Sequence, residues 1–83
     1  MRYIEVTFEN GYAGCDMNEY YVFSDNVTDE EIDTNEHICL DFDNYVEDYK
    51  PDYLDEDEED WYYENVTWSW CEITKEEYEE WSK

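Results

Sequence analysis

A chain of 83 residues forms at most one small domain, because a chain of this length buries only about 60% of the surface it exposes when unfolded, which leaves no room for a deep catalytic cleft. Its 27 Asp and Glu residues against 4 Lys and Arg give a formal net charge of -23, and its mean hydropathy is -1.10. Those two values are typical of disordered chains, but 4 Trp, 10 Tyr and 3 Phe residues are not, so we expect a folded single domain over residues 1–83.

Two antiparallel strands are predicted near the N-terminus. Apolar and polar residues alternate over residues 3–8, the pattern of a half-buried strand. Asn10-Gly11 supplies a turn signal, so residues 9–17 are expected to form a loop. The second strand is predicted over residues 19–23, where aromatic and β-branched residues are concentrated.

One long helix is predicted next. Thr28 and Glu31 have the spacing of a capping box, which marks a helix start. Apolar residues then recur at helical spacing on one face until Pro51, which ends the helix because the residue before a proline disfavours helical angles. The members of this apolar face are Ile32, Cys39, Phe42, Val46 and Tyr49.

The C-terminal half is predicted to contain a loop, a strand and a short helix. Six consecutive acids at residues 55–60 repel one another, which favours a solvated loop. A strand is predicted over residues 61–70, and a second capping box from Thr74 to Glu77 opens a final helix. The resulting β-β-α-β-α order predicts an α+β fold with a small three-stranded antiparallel sheet packed against one long helix, and a short C-terminal helix.

No catalytic or metal-binding pattern is recognisable in the sequence. Cys15, Cys39 and Cys71 lack the spacing of zinc ligands, His37 is the only histidine, and the acid-rich segments lack the glycine that a calcium loop needs. The cysteines are predicted to be small buried side chains in a reducing compartment. We therefore predict a protein that is not an enzyme and needs no cofactor or metal.

The location is predicted from the absence of a signal-peptide pattern and of an apolar run of membrane-spanning length. These features favour a cytoplasmic protein without a membrane contact, in the host cell cytoplasm if the protein is viral.

The net charge exceeds what solubility requires, since a magnitude of about 2–8 is enough for a small domain. Duplex DNA carries one charge per about 1.7 Å, so 23 charges correspond to roughly 39 Å of duplex, against an expected diameter of about 30 Å for the protein. The charge density is thus comparable with that of DNA. Origin in an acid-rich or high-salt proteome is the other explanation of such a charge.

Small size, extreme acidity and aromatic residues interleaved with acids, as in Glu76-Glu77-Tyr78-Glu79-Glu80, resemble the virus-encoded DNA-mimic inhibitors. These include anti-restriction proteins, inhibitors of uracil-DNA glycosylase and anti-CRISPR proteins. The resemblance is one of composition over the whole chain, and it assigns no residue a role. It implies a phage protein that evades host defence by occupying the basic nucleic-acid channel of a CRISPR effector, a restriction enzyme or a DNA-repair enzyme.

The predicted partner-binding surface combines the acid run, acids on the polar side of the long helix and two aromatic residues. Its members are Asp52, Asp55, Glu56, Asp57, Glu58, Glu59, Asp60, Asp41, Glu47, Asp48, Tyr53 and Tyr62. Tyr12, Trp61 and Tyr63 are also expected to be exposed among acids. Because like charges repel, direct binding to nucleic acid is not expected.

Two other functions remain open at this stage. An acidic chaperone or antitoxin that shields a basic partner protein needs the same charge, and a divalent-cation-binding acidic protein is the second possibility. A homodimer formed through Trp-rich strand edges is also compatible with the sequence.

Overall fold

The computed structural model describes residues 1–12 and 14–82, which form three strands and four helices. The strands are β1 (Arg2–Glu9), β2 (Met17–Phe23) and β3 (Thr67–Ile73). The helices are α1 (Asp29–Asp33), α2 (Glu36–Asp48), α3 (Glu56–Asn65) and α4 (Lys75–Trp81). The predicted α+β fold, with its three-stranded antiparallel sheet, long helical segment and short C-terminal helix, is confirmed, and α3 is an addition to it.

The sheet has the order β2-β1-β3, with the first strand in the centre and antiparallel to both neighbours. The alternation in β1 places Ile4, Val6 and Phe8 on one face, where all three are fully buried. Trp70 lies directly opposite Val6, and Trp68 directly opposite Phe8, in the register with β3. This face of the sheet is therefore the floor of the hydrophobic core.

The loop between β1 and β2 contains the predicted turn. Gly11 and Gly14 both adopt positive φ angles, of 83° and 80°, which residues with a side chain rarely tolerate. Ala13, which belongs to the predicted loop, lies outside the described residues.

A bent helical segment covers the core face of the sheet. The bend falls between α1 and α2, where the Asn35 side chain accepts a hydrogen bond from the backbone N–H of Ile38 at 3.1 Å and starts a new helix. Ile32 of α1 and Ile38 of α2 are fully buried, and Tyr45 of α2 has only 1% of its surface exposed.

The bend changes which residues of this segment face inward. The apolar face predicted for one continuous helix included Cys39 and Tyr49, and both are exposed. Cys71 is also exposed and Cys15 is half-buried, so the prediction of buried cysteines is wrong for two of the three.

The acid run is helical, so the predicted loop at residues 55–60 and the predicted strand start at residue 61 are wrong. Asp55 caps α3 by accepting a hydrogen bond from the backbone N–H of Glu58 at 2.9 Å. Acids in the first turn of a helix lie at the positive end of its dipole, which offsets part of their mutual repulsion. The strand follows only after the helix ends, at Thr67.

The outer face of the sheet is partly covered by α4. The Tyr78 ring lies 5.2 Å from the ring of Tyr3 and 6.5 Å from that of Tyr20, between centroids. The capping box predicted at Thr74 and Glu77 is present, with both of its hydrogen bonds.

The molecule is longer than its chain length predicts. Its Cα atoms extend over 44 × 25 × 15 Å with a radius of gyration of 14.4 Å, against about 12 Å expected for a compact chain of this size. None of the helices within residues 1–12 and 14–82 has the length and apolarity needed to cross a bilayer.

Candidate acidic interaction surface

Every one of the 27 acidic residues lies in the described part of the chain, and none of them is buried. The fold keeps these groups in water because an uncompensated buried carboxylate is costly. Five acidic residues are partly buried and the others are exposed. The five are Glu5, Glu19, Asp41, Glu59 and Glu77.

The guanidinium of Arg2 is occupied by contacts within the protein and offsets only the charge of the acids next to it. Its guanidinium lies 2.8 Å from a carboxylate oxygen of Asp29 and 3.0 Å from one of Glu72, and it also donates to the carbonyl of Val27 at 2.8 Å. The hydrogen bond to Glu72 is the largest cause that raises the pKa of Arg2 above its usual range, and the hydrogen bond to Asp29 is the next. The residue fastens the start of β1 to α1 and β3.

Lys50 is also used internally. Its ammonium lies 2.9 Å from a carboxylate oxygen of Glu59 and 3.3 Å from the hydroxyl of Tyr63. The hydrogen bond to Glu59 is the main cause of a raised Lys50 pKa. This pair links the segment after α2 to α3.

The predicted acid run lies on the surface of α3, and some of its side chains make contacts within the protein. Asp55 caps the helix and Glu59 holds Lys50, whereas Glu56, Asp57 and Asp60 are exposed. These three carboxylates are the part of the run most available to a partner. Asp52, which precedes the helix, is exposed as predicted.

Crowding within this run is visible at Glu58. The charge of Asp55, followed by a side-chain hydrogen bond to it and by partial desolvation, raises the pKa of Glu58.

The predicted acids of α2 fall into two environments. Glu47 and Asp48 are exposed near the end of the helix. Asp41 is partly buried and accepts a hydrogen bond from the hydroxyl of Tyr21 on β2. Together with Glu19, Asp41 and Asp48 line a cleft of about 290 Å³ between α2 and β2.

The end of α2 and the acid run of α3 are held together. The Tyr62 hydroxyl donates a 2.7 Å hydrogen bond to the carbonyl of Val46. Burial is the main cause that raises the pKa of Tyr62, and the charge of Glu47 adds to it. Glu47 therefore lies close to α3, as part of the same acidic surface. Asp41 lies seven residues before Asp48, about 10 Å along the helix, and belongs to the cleft.

The exposure predicted for the aromatic residues is correct at Tyr53, Trp61 and Tyr63, is met only in part at Tyr12, and is wrong at Tyr62. Tyr53 is 75% exposed, Trp61 47% and Tyr63 43%, and Tyr12 is half-buried. Tyr62 has no exposed surface and cannot touch a partner. In a helix, successive side chains point about 100° apart, so Tyr62 is directed inward and Tyr63 outward.

The exposed acids of α4 were not singled out from the sequence. Glu76, Glu79 and Glu80 form a second acidic helix surface. The four acids among residues 76–80 could have indicated this surface from the sequence. Glu19 was also missed, because its place in the cleft depends on the packing of α2 against β2.

Comparisons with known proteins assign no family to this arrangement. The sequence matches no protein-family model, no curated protein and no solved structure. Across the described ranges, no group of three or more His, Cys, Asp or Glu side chains is placed to hold a metal ion.

Proposed function

We propose that this protein is a non-catalytic, nucleic-acid-mimicking inhibitor. It binds the basic nucleic-acid channel of a DNA- or RNA-processing enzyme, a CRISPR effector first among them, and blocks nucleic-acid binding. The observation that supports the proposal is a net charge of -23 carried on a surface where no carboxylate is buried and where two of the few cations are held in internal ion pairs.

The dimensions of the molecule favour mimicry of a duplex. At one charge per about 1.7 Å, a duplex as long as the 44 Å axis of the protein carries about 26 charges, close to the 23 of this chain. The similarity is in charge per unit length, which is the quantity that a channel lined with Lys and Arg responds to.

The mechanism is competition for the same basic side chains. An enzyme that binds DNA through phosphate contacts releases counterions, and a surface of carboxylates offers it an equivalent release. Carboxylates also accept two parallel hydrogen bonds from an arginine, as phosphates do. The exposed acids of α3 and of the end of α2 are the surface on which we expect these contacts.

The test measures whether the protein displaces DNA from a purified enzyme. Fluorescence anisotropy of a labelled duplex is followed with a guide-loaded CRISPR effector, a restriction enzyme and a uracil-DNA glycosylase, with the protein titrated into each. We expect loss of DNA binding near one equivalent with at least one enzyme, and protection when the DNA is bound first. A gel shift should show no binding of DNA or RNA by the protein alone.

Three results would overturn the proposal. One is an absence of effect on all three enzymes. Another is binding to an enzyme without displacement of its DNA, as expected of an acidic chaperone. The third is a retarded DNA band with the protein alone.

A further inference from the structure

The protein binds one of its own cations with an aromatic ring and a carboxylate from the same helix. The ammonium of Lys50 lies 5.2 Å from the centroid of the Tyr63 ring and 2.9 Å from a carboxylate oxygen of Glu59. Glu59 and Tyr63 are four residues apart on α3, a spacing that places side chains next to each other on a helix surface.

A second cation is held in the same way on the sheet. The guanidinium carbon of Arg2 lies 6.0 Å from the centroid of the Trp70 ring, and its nitrogen lies 3.0 Å from a carboxylate oxygen of Glu72. Trp70 and Glu72 are two residues apart on β3, so they share a face of the strand. The pairing of a ring with a carboxylate is therefore a repeated means of binding cations in this fold.

An exposed acid and an exposed aromatic residue with the same spacing also lie on α3, without a cation from the described residues. Asp57 and Trp61 are four residues apart, as Glu59 and Tyr63 are. The two pairs are offset by two residues, about 200° around the helix, so they lie on opposite sides of it. Asp57 is exposed, and Trp61 keeps 47% of its surface in solvent.

The Trp61 ring is held in place by its neighbours. The Tyr12 and Trp61 rings form a T-shaped pair, with centroids 5.9 Å apart and an interplanar angle of 87°. The chain also passes close to it at Gly11, where an added Cβ would lie 3.1 Å from Cη2 of Trp61. A ring fixed in advance loses little conformational freedom on binding, which favours its use as an anchor.

We propose that Asp57 and Trp61 form a binding site for an arginine side chain of the partner protein. The site rests on the proposed function, since an arginine-lined channel is the surface that this chain is proposed to enter. Arginine is favoured over lysine because its planar guanidinium stacks on an aromatic face while its nitrogens bind a carboxylate. The acids that surround the ring supply the complementary charge.

A matched control is available on α4. Trp81 is 44% exposed and has Glu77 four residues before it. The Glu77 carboxylate is already engaged, because it accepts the backbone N–H of Thr74 at 3.1 Å in the capping box. Trp81 therefore tests the effect of removing an exposed tryptophan from an acidic helix when the carboxylate four residues before it is already engaged.

The experiment compares oligoarginine and oligolysine peptides of equal length, titrated by calorimetry into the full-length protein near physiological salt. The parent should bind the arginine peptide about fivefold more tightly, the effect of one cation–π contact at an exposed site. Trp61→Ala should remove this preference, and Trp81→Ala should keep it. Asp57→Asn, which leaves the ring in place, should weaken arginine binding by a similar factor.

Equal affinities of the parent for the two peptides, or equal losses in both tryptophan variants, would overturn the proposed site. Circular dichroism checks that the variants fold, and Asp57→Asn decides the question if Trp61→Ala does not. The peptide assay contains no nucleic-acid enzyme. An arginine preference without inhibition of any enzyme would therefore refute the proposed function alone, and inhibition without a preference would refute this site alone.

Discussion

Buried tyrosine hydroxyls connect segments of this protein that are distant in sequence. The Tyr45 hydroxyl donates to the carbonyl of Cys15 at 2.7 Å, and the Tyr62 hydroxyl donates to the carbonyl of Val46 at the same distance. Both rings are buried almost completely. Tyrosine therefore supplies apolar area to the core and also satisfies backbone carbonyls that the sheet and helices leave unpaired.

Replacing Tyr62 by Phe should destabilise the fold. The change keeps the buried ring and removes the hydrogen bond to Val46, so we expect the free energy of unfolding to fall by about 1–2 kcal/mol. Urea unfolding followed by circular dichroism measures the difference. Tyr53→Phe is the control, because Tyr53 is 75% exposed, and its stability should equal that of the parent. Equal stability of the two variants would show that the Tyr62 hydroxyl has no structural role.

Alkaline pH should unfold the protein through Tyr45. Burial is the main cause that raises the pKa of Tyr45 to about 12, compared with about 10 in an unfolded chain. Because its pKa is raised in the folded state, the protonated Tyr45 makes its full contribution to stability below about pH 10, and this contribution is lost as the pH rises towards about 12. Free energies of unfolding across this range should fall less steeply for Tyr45→Phe than for the parent. Identical slopes would contradict the assignment.

At the scale of elements, the sequence predicts the strands and helices that carry a clear local pattern of their own. The alternation in β1 identifies its buried face, and the capping box at Thr74 identifies the start of α4. The bend at Asn35 was not predicted, because a capping residue inside a continuous helical periodicity resembles an interior position. Charge alone also predicted that the acids of the candidate surface would be exposed, which is correct except at Asp41 and Glu59, which are partly buried.

Helix α3 shows why the rest of the site could not be predicted. Only Tyr62 of its ten residues is buried, so no apolar periodicity indicates a helix. Its helical state depends on the Asp55 cap, on acids at the positive end of the dipole and on contacts with the segment after α2. Without the helix, the inward direction of Tyr62 and the outward direction of Trp61 and Tyr63 cannot be inferred.

Charge reversal on α3 should abolish inhibition, and the same reversal on α4 should not. The first variant replaces Glu56, Asp57 and Asp60 by Lys, which spares the helix cap and the ion pair with Lys50. The second replaces three exposed acids of α4 and spares the capping box. These acids are Glu76, Glu79 and Glu80.

Both variants change the net charge equally, but two of the new lysines on α3 and only one of those on α4 lie in the first turn, where a positive charge opposes the helix dipole. We expect at least about a tenfold loss of inhibition for the α3 variant, because each carboxylate–arginine pair lost at a desolvated contact weakens binding strongly. DNA displacement is measured, with circular dichroism as the check on folding. Equal losses in the two variants would mean that total charge, and not the surface of α3, determines binding.

At the scale of the whole molecule, the surface that we propose for function opposes folding. Twenty-seven carboxylates face water, and each of the internal ion pairs of Arg2 and Lys50 offsets only local repulsion. Such a charge destabilises a compact state. The 44 Å length keeps the acids farther apart than a sphere of the same volume would, so the elongated shape reduces this repulsion.

The protein should therefore be more stable in moderate salt than in low salt. The Debye length falls from about 30 Å at 0.01 M to about 6 Å near 0.3 M, which screens carboxylates on neighbouring elements from one another. Thermal unfolding at the two salt concentrations and pH 7 should give the higher Tm at 0.3 M. Sodium chloride and potassium fluoride should act alike if screening is the cause. An unchanged or lower Tm in both salts would show that repulsion does not limit stability.

Mild acidification should have the same stabilising effect, since it removes the charge that salt only screens. The neighbouring Asp55 raises the pKa of Glu58 in the folded state, so protonation of this carboxyl favours the fold. The contribution is complete below the unfolded pKa of about 4.3 and is lost as the pH rises through the folded value, which makes pH 7 the less stable condition. Melts at low salt should show Tm increasing from pH 7 to about pH 5. Asp55→Asn removes the neighbouring charge while leaving an oxygen that can cap α3, so this variant should show a smaller increase. If Tm rises as much in this variant as in the parent, the repulsion that limits stability lies between other carboxylates and not between Asp55 and Glu58.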